Sequence, residues 1–340
     1  FVMLIYFLIG EKKVEMRPLI AIPMVVIAFA LFGPFTQQVE GIYRIWCPEY
    51  AHSLDFISDV TPIAYQSNIY LLDYVFSQFI PTAICVALLL NFRRDSYDKW
   101  IMVATPLLMY STFAFVGMAI VMILIFIYDL VSTKKVRQYF RQLIRLESLA
   151  AILVAVIFAA YLACNVLQTK PEGAGMSFIL INYDSGSKIL ALILVELSWI
   201  MWVVLLLRKE RRNPLMWVAS IVLLLLPFFQ FGLNNDLCMR ASMPALLLIN
   251  ILMIKNIICS WKSDRYYMIA LLFFAFISAL GVVERNYYLL HMSSVSGTHY
   301  NLGGTTFDEF ISSQTQVDPL GAKYQYIDYD IDGPVKFILR

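Results

Sequence analysis

PLMWVASIVLLLLPFFQFGLNNDLCMRASMPALLLINILMIKNIIC, residues 214–259, decides how the chain is read. Leu215–Phe231 carries no charge, and Met243–Ile258 carries only Lys255, near its end. Between them Asn234, Asn235, Asp236, Arg240 and Ser242 crowd into nine residues. A membrane-spanning helix needs about 20 predominantly apolar residues. Two apolar runs close to that length, joined by a short polar insert, read as a hairpin of membrane helices.

The same alternation continues outward. Pro18–Phe35, Ile69–Phe92, Leu149–Val166, Ile189–Leu207 and Tyr266–Val283 are further apolar runs, each bounded by charge. Across the 340 residues, 60% are hydrophobic and 15% charged, with mean hydropathy +0.72. Soluble domains run at about 45–50% apolar and about 25% charged. These values exclude a soluble globular, disordered, collagen-like or nucleic-acid-binding chain.

Charge fixes the expected topology. The segments 11–17, 93–99, 134–145, 208–212 and 255–265 hold 18 of the 26 Lys and Arg residues. The positive-inside rule places them in the cytoplasm. The loop Thr36–Asn68 has Glu40, Glu49, Asp55 and Asp59 against Arg44, and seven acids follow Val283 against four bases. These acidic segments are expected outside. Trp100, Trp217 and Trp261 stand beside basic clusters as interfacial anchors would.

Two segments depart from simple spans. Trp100–Leu130 lies between two basic clusters, too long for one crossing and short for two. It reads either as short helices hinged near Ser111–Gly117, in part re-entrant, or as two short tilted spans. KKVRQYFRQLIRLE (134–147) segregates bases from Val136, Tyr139, Phe140, Leu143 and Ile144, as in an amphipathic helix lying on the membrane surface.

The expected fold class is therefore all-α. It is a polytopic transmembrane helix bundle with a short extracytoplasmic C-terminal tail. Residues 1–291 form a transmembrane region of about eight to ten spans, with the outer loop 36–68 and the cytoplasmic amphipathic helix 134–147. Residues 292–340, polar and rich in Gly and Asp, form the tail. Phe1–Ile9 has no basic region before it and reads as the end of a truncated helix, so a longer protein is expected.

Chemistry has few places to sit. Arg240 at the membrane boundary suits bidentate binding of a phosphate or diphosphate. On a helix it is four residues from Asp236 and can pair with it. The plainer alternative is a turn whose polar groups cap the helix ends. The outer loop is far longer than usual, and Glu49, Asp55 or Asp59 in it would serve as a general base. Glu196 reads as the one acid well inside a span, either functional or paired with Asn165 or Asn250. His52, His291 and His299 make no metal motif, and the five cysteines have no paired spacing. No cofactor motif is evident. A divalent metal is left open.

NNDLCMRASMPALL (234–247), TPLLMYSTFAFVGM (105–118) and YLLDYVFSQFIP (70–81) together resemble polytopic envelope proteins of Bacteroidetes-type bacteria. Their arrangement is similar to the GT-C superfamily of membrane glycosyltransferases. That resemblance implies the bacterial inner membrane and a polyprenyl-phosphate-linked sugar donor used at the outer face for an envelope glycan or lipid. The lipid bilayer and such a lipid-linked substrate are the implied partners, with no nucleic acid. In the superfamily the catalytic acid lies in the first extracytoplasmic loop, so no catalytic residue is carried over. Asn235, Asp236 and Arg240 would serve the lipid-phosphate or acceptor side. A polysaccharide polymerase, and a transporter or flippase using Glu196 and a break near Gly117, are the alternatives.

Overall fold

A computed structural model describes residues 18–35, 65–92, 97–168, 176–178, 186–231 and 236–296. These residues form an all-helical bundle with one minimal ribbon. The helices are α1 (Pro18–Leu31), α2 (Asn68–Tyr74), α3 (Phe76–Asn91), α4 (Tyr97–Ala104), α5 (Leu107–Tyr110), α6 (Thr112–Thr133), α7 (Val136–Leu143) and α8 (Leu146–Gln168). After β1 (Met176–Phe178) come α9 (Gly186–Glu210), α10 (Pro214–Leu225), β2 (Phe229–Phe231), α11 (Asp236–Ala241), α12 (Met243–Cys259) and α13 (Arg265–Ser296).

The middle of the bundle is α12. Its residues from Met243 to Ile254 are all buried, and α1, α3, α6, α9, α10 and α13 pack around it. A helix that is apolar on every side belongs inside a bundle. The surrounding helices are apolar on two faces. On α9, Val195, Trp199, Trp202 and Leu206 point inward, while Ile193, Leu197, Met201 and Val204 form an exposed row. On α13, Leu271, Ala275 and Ser278 point inward and Ile269, Phe273, Phe276 and Leu280 outward. Continuous outward apolar rows of this kind need an apolar solvent. Thr112–Thr133 and Leu237–Cys259 are long and apolar enough to cross a membrane, and the bent pair Val136–Leu143 and Leu146–Leu162 makes a third if taken as one span.

Helix boundaries follow local chemistry. Asn213 caps α10, its side chain accepting from the Leu215 amide, and Pro214 takes the first turn. The run Leu215–Phe231 is not helical throughout. Pro227 interrupts it, a 3₁₀ turn covers Leu226–Phe228, and Phe229–Phe231 pairs antiparallel with Met176–Phe178. The last helix is longer than Tyr266–Val283. It continues through Ser296, because residues 284–296 contain neither Gly nor Pro.

The stretch 100–130 resolves into a short and a long part. Thr105-Pro106 and Ser111 interrupt the chain. Ser111 then caps a straight run of 22 residues, accepting from the Ala114 amide at 3.3 Å. The break is thus at Ser111. Gly117 lies inside α6 and serves a different purpose, since a Cβ there would stand 2.0 Å from the Ala241 carbonyl oxygen. Only glycine lets α6 approach the backbone of α11 this closely.

The amphipathic segment forms α7, which turns 56° into α8. Tyr139 is buried against Tyr97, whose hydroxyl donates to Asp129 at 2.6 Å. Val136, Phe140 and Ile144 are exposed beside Arg137 and Arg141, the pattern of a helix lying at an interface. Asp129 is fully buried within α6, so Glu196 is not the sole acid held inside a long apolar helix.

Among the described residues, contacts gather four of the basic segments at one end. Tyr97 joins the 93–99 and 134–145 segments, and Arg145 pairs with Asp98 at 2.9 Å. Arg208 and Lys209 reach Asp264 at 2.9 and 3.8 Å. Lys255 reaches Glu210 at 2.5 Å. This is called the basic end below. The far end holds Phe35, Tyr65, β2 and α11.

Candidate functional site

The far end is assembled from four separate parts of the chain. Helix α1 stops before Gly33-Pro34, and the segment after it is pinned to α9. The Trp202 indole donates to the Gly33 carbonyl at 2.7 Å, and the Phe35 amide donates to the Ser198 carbonyl at 3.0 Å. Phe32 and Phe35 pack on the Trp202 ring at 5.3 and 5.4 Å. Asn68 closes the other side of the long loop, its side chain donating to the Phe29 carbonyl at 2.9 Å. Both ends of the loop are therefore tied to the bundle.

Tyr65 is the residue that brings the loop to the polar hairpin. It is fully buried, and its hydroxyl donates to the Leu223 carbonyl of α10 in a short bond. Cys238 of α11 is its hydrogen-bonded neighbour, and Glu196 of α9 lies within electrostatic reach. Burial first, then these two neighbours, raises the phenol well above its ordinary value, so it stays a neutral donor. Cys238 is itself buried and in no disulfide. Tyr65, Cys238 and Glu196 thus come together from α9, α11 and the end of the loop.

Glu196 does not meet the partners expected for it. The Trp199 indole donates to its Oε2 at 2.8 Å, one turn away on the same helix. Its Oε1 is enclosed with no hydrogen-bond partner. Asn250 is fully buried in the middle of α12, and neither its amide nitrogen nor its oxygen has a partner. An unsatisfied buried polar group costs about 1–3 kcal/mol. Two such groups in one bundle call for a reason.

Asp236 opens α11 and Arg240 stands in its last turn, half-buried, so the two share one short helix. Gly117 sets that helix against α6, and Ser242 joins it to α12. Asn235 lies outside the described residues, as do Glu49, Asp55 and Asp59. Among the described residues no three His, Cys, Asp or Glu side chains gather as a metal site would require.

From the sequence, neither Tyr65 nor Trp199 is expected as a site residue, and Cys238 is offered only as a possible bridge to Cys47, which lies outside the described residues. Tyr65 was one aromatic among many near the end of a long loop, and nothing local marks it. Trp199 had a readable signal, because a Trp three residues after an intramembrane carboxylate can reach it on a helix.

Comparison of the chain with family models, with curated proteins and with solved structures finds no match. The site is therefore interpreted on its own chemistry.

Proposed function

We propose that the chain forms part of an integral membrane glycosyltransferase. It takes a sugar from a polyprenyl-phosphate donor at the far end, which is extracytoplasmic in the bacterial inner membrane, and modifies an envelope glycan or lipid. The observation that carries this reading is the docking of Tyr65, at the end of the outer loop, beside the helix that holds Arg240. A transferase needs an acceptor-binding segment and a phosphate-binding cation at one membrane boundary. A transporter needs its polar groups along a path through the middle.

In this reaction an acceptor hydroxyl attacks the anomeric carbon. The bond from that carbon to the lipid-phosphate oxygen breaks, and the phosphate leaves with the electron pair. A carboxylate takes the acceptor proton. Glu49, Asp55 and Asp59 are the candidates for that base. The guanidinium of Arg240 stabilises the charge growing on the leaving phosphate, where a fixed cation in a water-poor site is most effective. Replacing Arg240 with Ala in the full-length protein should lower glycan transfer at least about a hundredfold with insertion unchanged. Activity retained in Arg240→Ala would reject the assignment.

The transporter or flippase alternative draws on one specific observation, the unpartnered groups of Glu196 and Asn250 in the apolar interior. It loses the break near Gly117, since that residue lies in a continuous helix. Lipid or glycan movement abolished by Glu196→Gln but unaffected by Arg240→Ala would favour transport.

A further inference from the structure

The basic end encloses a cavity of about 570 Å³ that the far-end chemistry does not use. Its floor is apolar, formed by Leu89, Ile125, Leu248 and Leu252 of α3, α6 and α12. Its rim carries Lys209, Arg212 and Lys255, with Glu210 as the one acid on the wall. Helix α10 begins at that rim with Pro214, so its positive end adds to the field.

Hydrogen bonding on this wall leaves donors over. Glu210 has both oxygens occupied. Its Oε1 accepts from Lys255 at 2.5 Å and from Asn256 at 3.0 Å, and its Oε2 accepts from Asn213 at 2.6 Å. Burial alone would raise this carboxyl. The bonds from Lys255, Asn213 and Asn256 outweigh it and hold the carboxyl below its ordinary value, so it is a spent acceptor and stays charged. Lys255 has three N–H groups and gives one to Glu210. Trp100 lines the same cavity with its ring, while its indole nitrogen is closed off from it. Arg212 is exposed at the mouth.

We infer that this cavity binds a phosphate group, with Arg212 and Lys255 as its donors. The ligand must supply acceptor oxygens and negative charge, because the wall has surplus donors and a net positive charge and its acid is already satisfied. Phosphate oxygens meet both needs. The apolar floor suits the glycerol and upper acyl part of an anionic phospholipid, and basic pockets between helices at a membrane's cytoplasmic side take such headgroups. A soluble phosphate compound offers the same oxygens without filling the floor.

The test uses the purified full chain in detergent, delipidated, followed by thermal unfolding. Dioctanoyl phosphatidic acid, inorganic pyrophosphate and uncharged dioctanoylglycerol are added separately. Phosphatidic acid should raise the unfolding midpoint by several degrees and dioctanoylglycerol should not. Arg212→Gln should weaken the effect about tenfold in ligand concentration. Arg137→Gln, an exposed charge on α7, should leave it unchanged. A shift produced by pyrophosphate to the same extent assigns a soluble phosphate ligand to the site. No shift with either phosphate compound, or equal shifts in wild type and Arg212→Gln, would overturn the proposal.

Discussion

The basic end and the middle of the bundle treat charge differently. At the basic end the acids Asp98, Glu210 and Asp264 each meet a cation. Glu210 collects Lys255, Asn213 and Asn256, and Asp264 collects Arg208 and Lys209. Asp98 holds Arg145. In the middle of the bundle Glu196 keeps one oxygen without a partner and Asn250 keeps its whole amide so, while at the basic end Asp98 Oδ1 and the Trp100 indole nitrogen are left over. Ion pairs close to water and headgroups are inexpensive and hold helix ends in register. A polar group left unsatisfied deep in an apolar bundle costs stability, so selection for the fold alone would remove it. The acids of the basic end hold the bundle together through their cations, whereas Glu196 and Asn250 meet no cation and are not explained by stability.

Substitutions break or sharpen this contrast. The largest effect is expected from Gly117→Ala. Its new methyl would meet the Ala241 carbonyl, which is backbone and cannot swing away. Separation of α6 from α11 should cost about 3 kcal/mol or more, seen as lost monodisperse protein in detergent and a lower unfolding midpoint. Next comes the Glu210–Lys255 pair. Lys255→Met strands the Glu210 carboxylate and should destabilise by about 2 kcal/mol, below the range for fully buried pairs because Lys255 is partly wet. Adding Glu210→Gln to that variant should recover part of the loss.

The same pair sets a pH response. Glu210 is held below its ordinary value of 4.5, so it favours the folded state while ionised. That contribution is complete above about pH 4.5, and it declines as pH falls from there through the lowered folded value. Thermal midpoints should therefore fall less steeply below pH 4.5 in Glu210→Gln than in wild type. A smaller loss, about 1 kcal/mol, is expected from Ser111→Ala, which removes the cap of α6.

Asn250→Leu has the smallest effect and the opposite sign. It removes an unsatisfied amide from a dry site and should leave stability unchanged or raise it by about 1 kcal/mol. Stability gained with function lost would mark Asn250 as a working group. Stability lost would mean its amide is satisfied and the contrast with the basic end is weaker.

Much of this architecture is legible in the residues. Pro214 after Asn213, and Ser111 before an apolar run, announce helix starts through chemistry confined to a few neighbours. The clustering of Arg and Lys anticipates which segments share an end. Other features depend on contacts remote in sequence. Gly117 looks like a hinge until α11 is seen against it. Phe229–Phe231 looks like the last turn of a span until Pro227 and the partner strand 176–178 are taken together. Tyr65 joins α10 and α11 across more than a hundred residues, and no local pattern carries that information. Glu210 stands out in the sequence as the one acid among Arg208, Lys209, Arg211 and Arg212, but its partner Lys255 is remote.

The central claim is that the far end handles a lipid phosphate. Photo-crosslinking tests it most directly, using a polyprenyl phosphate that carries a diazirine near its phosphate and the full-length protein in nanodiscs. Peptide mapping should place the label in the segment 229–241, and Arg240→Ala should remove it. Label confined to peptides of the basic end, such as 209–215, would contradict the account.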